Sequence, residues 1–247
     1  MFYASSSMKL ALHTVVGFPN LRTSEKIVEL LAANSDIVEL QIPFSDPVAD
    51  GPTITAANAT SLAGGITPRK CLDFAEKFAR KFPATDFFLM SYFNSIFHFG
   101  LAKFAAAAKK AGVRGFVVPD LPIEEAAEFL KICRKNKLEL IFVVAPNTPD
   151  ARLKLIAAKS TSWIYATARL GITGSATAIG ADLRKFLNRI RKFADAEIGV
   201  GFGVQSRSDL RKIENAGGQI GIVGSELFRQ FEKGGLDQLE KFLRKLK

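Results

Sequence analysis

Val38-Glu39-Leu40-Gln41-Ile42-Pro43-Phe44-Ser45-Asp46-Pro47-Val48-Ala49-Asp50-Gly51-Pro52 runs from an apolar strand into a loop punctuated by proline and glycine. A strand built from Val, Leu and Ile is buried on both faces in a parallel sheet, and a carboxylate there is costly unless a site uses it. Glu39 therefore reads as chemistry before packing. The loop adds Asp46 and Asp50. Gln41 follows Glu39 by two positions, so the strand period places both side chains on one side.

The same unit recurs along the chain. Short Val/Ile/Leu/Phe runs alternate with amphipathic helical stretches, the pattern of βα repetition and a parallel sheet. Strands are predicted near Leu10 to Val16, Ile37 to Ile42, Asp86 to Tyr92, Gly115 to Val118, Glu139 to Val144, Trp163 to Ala166, Glu197 to Gly201 and Gln219 to Val223. Eight strands close a barrel. An open doubly wound sheet would want Gly-x-Gly-x-x-Gly after the first strand, and Val16-Gly17-Phe18-Pro19 lacks that spacing. The expected fold is one (β/α)8 TIM barrel over residues 1–247, with residues 1–7 a flexible extension. Helix starts are expected at Thr23, Thr67, Thr148 and Ser206. The Ala-rich stretch Leu101 to Ala111 is expected to be a helix packed on the barrel.

At 247 residues and 48% hydrophobic, the chain can bury a large core. No charged-then-apolar leader and no run near 18 apolar residues is present, which points to a soluble cytoplasmic protein and away from membranes. Cys71 and Cys133 are isolated thiols without metal-site spacing, read as buried apolar side chains. No metal site and no cofactor is expected in this chain. The net charge of +10 invites a nucleic-acid reading. The basic residues, however, are spread over successive helices without interleaved aromatics, so a solvated surface that attracts an anionic small molecule is the reading adopted.

Function in such barrels gathers at the carboxyl ends of the strands. Strand seven runs into Gly201-Phe202-Gly203, and strand eight into Gly224-Ser225 ahead of a short helical piece, Glu226 to Gln230. Glycines let backbone N–H groups approach an anion, and a helix start offers unpaired donors. A third segment, Ala168 to Gly174, has the glycines of a loop that closes over a ligand.

Together these segments resemble the tryptophan synthase alpha-subunit family. The resemblance runs from about Thr14 to Ser225 and includes the Val38 to Pro52 stretch, Tyr92-Phe93-Asn94, Pro119-Asp120-Leu121-Pro122 and Ala145-Pro146-Asn147. It implies retro-aldol cleavage of indole-3-glycerol phosphate to indole and glyceraldehyde 3-phosphate. By it, Glu39 shuttles protons and Asp50 accepts the indole N–H, with Tyr165 near the acid. Gly174, Gly203, Gly224 and Ser225 fall on phosphate-binding positions, and Arg169, Gly171 and Thr173 on a mobile loop. Phe202, Val117 and Val143 would form an apolar slot for the indole ring. Asp46 and Asp120 are read as loop-shaping residues. The resemblance also implies a partner, a pyridoxal-phosphate-dependent beta subunit in an alpha-beta-beta-alpha assembly.

Two positions depart from that family. Gln41 stands where glycine is usual, adding an amide beside Glu39, and His13 stands where an aromatic or other apolar residue often lines the pocket. They motivate an alternative, a weakly active or inactive barrel that mainly activates the beta subunit. The strand-two and strand-six loops have few apolar side chains, so both are expected to sample open states in the isolated chain.

Overall fold

The computed structural model describes residues 8–160, 162–168, 182–201 and 203–247. Its strands are β1 (Lys9–Val15), β2 (Ile37–Gln41), β3 (Asp86–Met90), β4 (Gly115–Val117), β5 (Glu139–Ile141), β6 (Val143–Val144), β7 (Trp163–Thr167), β8 (Glu197–Gly201) and β9 (Ile220–Val223). The helices are α1 (Leu21–Ala32), α2 (Pro52–Ala63), α3 (Pro68–Lys81), α4 (Phe93–Phe99), α5 (Leu101–Lys110), α6 (Ala127–Lys135), α7 (Asp150–Lys159), α8 (Asp182–Arg191), α9 (Arg207–Ala216) and α10 (Ser225–Leu246). The residues 1–7 expected as an extension lie outside the described residues.

Every strand pair is parallel, in the order β5-β4-β3-β2-β1-β9-β8-β7-β6. β5 and β6 are two halves of one strand, interrupted at Phe142. The first half pairs with β4 through Phe116↔Leu140 and the second with β7 through Val143↔Tyr165. The Tyr165 amide donates to the Phe142 carbonyl at 3.0 Å and carries the ladder across the interruption. The sheet thus returns on itself as the expected eight-stranded barrel, with its fifth strand in two pieces.

Side-chain alternation fills the interior. Ala11, Ile37, Phe88, Val117, Ile141, Trp163, Ile220 and Ile222 make one inward cluster, with Trp163 edge-on to Phe88 at 5.8 Å. The glycines of β8 follow from this packing. A Cβ at Gly199 would lie 2.7 Å from the Trp163 ring, and one at Gly201 would collide with the Tyr165 hydroxyl. Gly201, read from sequence as part of an anion cradle, instead leaves room for Tyr165.

The outer layer joins the sheet to the apolar faces of the helices, with Phe104, Phe116 and Phe129 in a run of ring contacts at 5.3 and 5.4 Å. Cys71 in α3 and Cys133 in α6 are free and fully buried, as expected. Burial pushes both thiols up, Cys133 to about 12. The Ala-rich stretch is α5, with Phe104, Ala105 and Ala108 buried. Many basic side chains on the outer helices pair with acids of neighbouring elements, as in Lys77–Glu25, Lys81–Glu29 and Arg152–Glu124. Exposed pairs of this kind contribute little stability. Among the described residues no helix is long and apolar enough to cross a membrane.

Two helix starts match the expectation: Thr67 accepts from the Lys70 amide and Ser206 from the Asp209 amide. Two do not. α1 is capped by Asn20, whose Oδ1 accepts from the Thr23 amide at 2.9 Å, so Thr23 is the third helical residue. Thr148 turns its hydroxyl back to accept from the Ala145 amide at 2.9 Å, and α7 begins after Pro149 without a side-chain cap. The short piece expected at Glu226 to Gln230 belongs to α10, which extends to non-helical Gly234 and Gly235 before resuming.

Candidate active site

At the carboxyl ends of the strands the barrel opens into a cavity of about 360 Å³. His13 of β1, Glu39 of β2, Asp50 of the following loop, Tyr165 and Thr167 of β7, and Ser225 at the head of α10 supply its polar groups. Ile54, Met90, Val117, Pro119, Val143 and Ile222 supply an apolar wall. Of the residues picked from sequence, Glu39, Asp50, Tyr165, Val117, Val143, Gly203, Gly224 and Ser225 therefore share one cavity. Gly174, Phe202, Arg169, Gly171 and Thr173 lie outside the described residues.

Glu39 is 1% exposed. Its neighbour in register across β1 and β2 is His13, whose Nδ1 lies 3.3 Å from Glu39 Oε2. Gln41 does not attend Glu39. It has crossed to the loop and donates from Nε2 to Asp50 Oδ2 at 2.7 Å. The Tyr92 hydroxyl donates to the same oxygen at 3.0 Å and accepts from the Ala49 amide at 3.0 Å. Asn58 of α2 accepts from the Phe44 amide at 2.9 Å, and the Phe44 ring stacks on Tyr92 at 5.2 Å.

These contacts give the strand-two loop anchors that its composition did not suggest. Its anchors are polar rather than apolar: the loop leaves Val48 exposed yet buries Asp50 to 6% exposure. Composition alone could not show that, because the holding groups come from β2, α2 and the segment after β3.

Burial raises the Asp50 carboxyl above its ordinary value, opposed in turn by electrostatic interaction with His13 and by the Gln41 and Tyr92 hydrogen bonds. Burial, then the nearby Glu39 and Asp50, hold Tyr165 well above the ordinary phenol value. Tyr165 is thus a neutral hydroxyl able to donate a proton in a hydrogen bond. Asp120 serves a structural turn: both its oxygens accept from the Phe93 amide, at 2.9 and 3.1 Å, tying the strand-four loop to the start of α4.

Gly203, at φ 88°, and Gly224 with Ser225 line the same cavity. Positive φ at Gly203 is a conformation that L side chains rarely adopt. Gly224 precedes the first turn of α10, where backbone N–H groups lack helical partners and the dipole is positive. Sequence reasoning gave no role to Tyr92, Met90 or Asn58. Tyr92 had a signal, since Phe88, Met90 and Tyr92 alternate toward the same side; Asn58 had none.

A closed parallel barrel whose cavity gathers two buried acids, an apolar wall and a glycine-flanked helix start defines a barrel enzyme for a small molecule. The chain belongs to the tryptophan synthase alpha chain family, whose profile matches residues 4–247. It is 40% identical over 245 residues to the tryptophan synthase alpha chain of Syntrophotalea carbinolica, covering 99% of this chain and 96% of that one. To that of Methanocaldococcus jannaschii it is 42% identical over 234 residues, covering 92% and 83%. Among solved structures it is similar to a chain of the Pyrococcus furiosus tryptophan synthase a2b2 complex, with TM-score 0.89 and 32% identity over 96% of this chain and 97% of that one. A Mycobacterium tuberculosis tryptophan synthase structure gives 0.88 and 30%, over 97% and 91%. The chain is accordingly a carbon–carbon lyase of that family, within which alpha chains are generally cofactor-free.

Proposed function

We propose that the cavity cleaves indole-3-glycerol phosphate by a retro-aldol step, with Glu39 as the proton-transfer group and Asp50 as the anion that receives the indole N–H. The observation that carries this reading is the pair of buried carboxylates on one cavity in different settings. Asp50 is fixed by two donors on one oxygen, while Glu39 keeps Oε1 buried and without a hydrogen-bond partner among the described residues. Two acids in unlike environments can hold different protonation states, so one site supplies acid and anion together. Protonation of the indole ring carbon makes it a leaving group, and the positive charge that grows on the ring is balanced by Asp50. Met90, Val117 and Val143 form the slot for the ring, to which the family resemblance adds Phe202. Tyr165 donates a hydrogen bond next to the acid. Gly203, Gly224 and Ser225, with Gly174, bind the phosphate through backbone N–H groups and the start of α10; Arg169, Gly171 and Thr173 belong to the loop that closes over it.

The partner is a tryptophan synthase beta subunit carrying pyridoxal phosphate, in an alpha-beta-beta-alpha assembly in the cytoplasm; the similar Pyrococcus furiosus chain comes from such an a2b2 complex. The test is indole release by Glu39→Gln, alone and with a beta subunit. Turnover is expected to fall at least about 10²-fold, the scale of positioned proton transfer. Parental turnover would remove Glu39 from the reaction. A parental protein that releases no indole yet accelerates a beta subunit would support the alternative, an activating barrel.

A further inference from the structure

His13 has more polar capacity than its packing uses. It is 4% exposed, lines the cavity beside Glu39, and makes one polar contact, Nδ1 to Glu39 Oε2 at 3.3 Å. Its other nitrogen, Nε2, is buried with no hydrogen-bond partner among the described residues, and so is Glu39 Oε1. A buried polar atom left unpaired is costly, so two of them on adjacent, paired side chains call for a ligand that satisfies both. The rest of the setting does not supply one. Phe228 sits 6.2 Å from the imidazole, ring to ring, and Asp50, the other acid acting on His13, is held by Gln41 and Tyr92. A carboxyl oxygen that accepts from one imidazole nitrogen fixes the tautomer and leaves the other nitrogen as a base, and Oε2 of Glu39 can accept in this way while Oε1 carries the acid proton.

We propose that His13 is a second catalytic residue, forming with Glu39 a two-group relay that moves the proton from the substrate's glycerol hydroxyl to the indole ring carbon. The proposal rests on the retro-aldol reading above. That reaction moves one proton overall, from a hydroxyl oxygen to a ring carbon. In the relay, protonated Glu39 gives its proton to the ring carbon and becomes a carboxylate. The carbon–carbon bond then breaks, its electron pair returning to the ring. The hydroxyl oxygen forms the carbonyl with the pair from its O–H bond, and that proton goes to His13 Nε2. The imidazolium passes its Nδ1 proton to Glu39, which recovers its acid form. The imidazole then returns to its starting tautomer by exchange with solvent once products have left. Acid and base are thus separate groups, and Glu39 need not turn from one to the other within a single encounter.

His13→Phe keeps an aromatic ring of similar size without either nitrogen, and His13→Asn keeps a donor toward Glu39 without a base at the Nε2 position. Both are expected to lose at least about tenfold in kcat with KM within twofold, less than the loss in Glu39→Gln because Glu39 can still act alone. His13→Ala is expected to regain turnover on addition of free imidazole, saturably, a response that repacking does not produce. Retained thermal protection by glycerol phosphate shows that each variant is folded. If folded His13→Phe and His13→Asn turn over within twofold of the parent and His13→Ala ignores imidazole, the relay is wrong. That result together with an inactive Glu39→Gln leaves the parent reaction standing. An active Glu39→Gln overturns both.

Discussion

Asp50 sits in a place that disfavours charge. Its carboxyl is raised from the ordinary 3.8 by burial, even though His13, Gln41 and Tyr92 pull the other way. A folded-state value above the unfolded one means the native protein binds the proton more tightly. The associated stability is fully present below the unfolded value and is lost as pH rises through the folded one. Ionisation of this side chain therefore weakens the fold. Asp50→Asn removes the charge while its Oδ1 can still accept from Gln41 and Tyr92. We expect its melting temperature at pH 7 to equal or exceed the parent's, with the difference vanishing below pH 3.8. Indole release should fall on the order of 10²- to 10³-fold, the scale of losing one preorganised charge partner. A variant clearly less stable than the parent at pH 7 would mean the carboxylate is favoured where it sits. At this scale the sequence singles out the two acids that meet in the cavity, because Glu39 interrupts an apolar strand and Asp50 sits in a proline-bounded loop. It does not show that Gln41 serves Asp50 rather than Glu39. Nine positions separate the two, and only the path of the loop back over β2 brings them within 2.7 Å.

At the scale of elements, β7 and β8 are matched in bulk. Trp163 and Tyr165 of β7 lean across Gly199 and Gly201 of β8, their partners in the ladder being Trp163↔Glu197, Tyr165↔Gly199 and Thr167↔Gly201. A Cβ at Gly201 would also stand 2.7 Å from Tyr165 Cζ, so Gly201→Ala must move the phenol. Overpacking of this kind typically costs about 1–3 kcal/mol, and misplacing a site group by about 1 Å can cost on the order of 10²-fold in rate. We expect Gly201→Ala to be modestly less stable and severely slowed. Adding Tyr165→Phe removes the atom in closest conflict and should restore part of the stability but none of the rate. Additive effects in that cycle would show that the two residues do not press on one another. The strands themselves were readable from sequence, because runs such as Ile37 to Ile42 and Glu197 to Gly201 have strand length and are bounded by turn residues. The split of the fifth strand at Phe142 was not, since Glu139 to Val144 is continuous in pattern and is divided only by which neighbour each half must meet to close the barrel. Helix caps were half readable. Asn20 and Thr23 are both good cap residues, and the choice between them is made by where the chain leaves β1.

For the molecule as a whole, the barrel's closure is what brings Gly203, from beyond β8, and Gly224 and Ser225, from beyond β9, into the cavity that Glu39 also lines. If these residues bind phosphate, ligand and fold are thermodynamically linked, because the unfolded chain has no such cradle. A ligand at about 100 times its Kd stabilises by roughly 2.7 kcal/mol. For a chain of this size each kcal/mol moves the melting temperature by about 2–4 °C. Glycerol phosphate near that excess should therefore raise Tm by roughly 5–10 °C. Gly203 tests the location, but its φ of 88° means any side chain there is strained regardless of charge. Two substitutions are needed to separate the effects. Gly203→Ala should lower the basal Tm through strain and still show an upward shift with glycerol phosphate. Gly203→Asp should carry the same strain and, by placing a carboxylate where the anion lies, lose the shift. Should both variants keep the full shift, the phosphate binds elsewhere on the barrel. Should both lose it, the backbone conformation at Gly203 rather than open space is what the anion requires, and the N–H groups of that turn become its ligands.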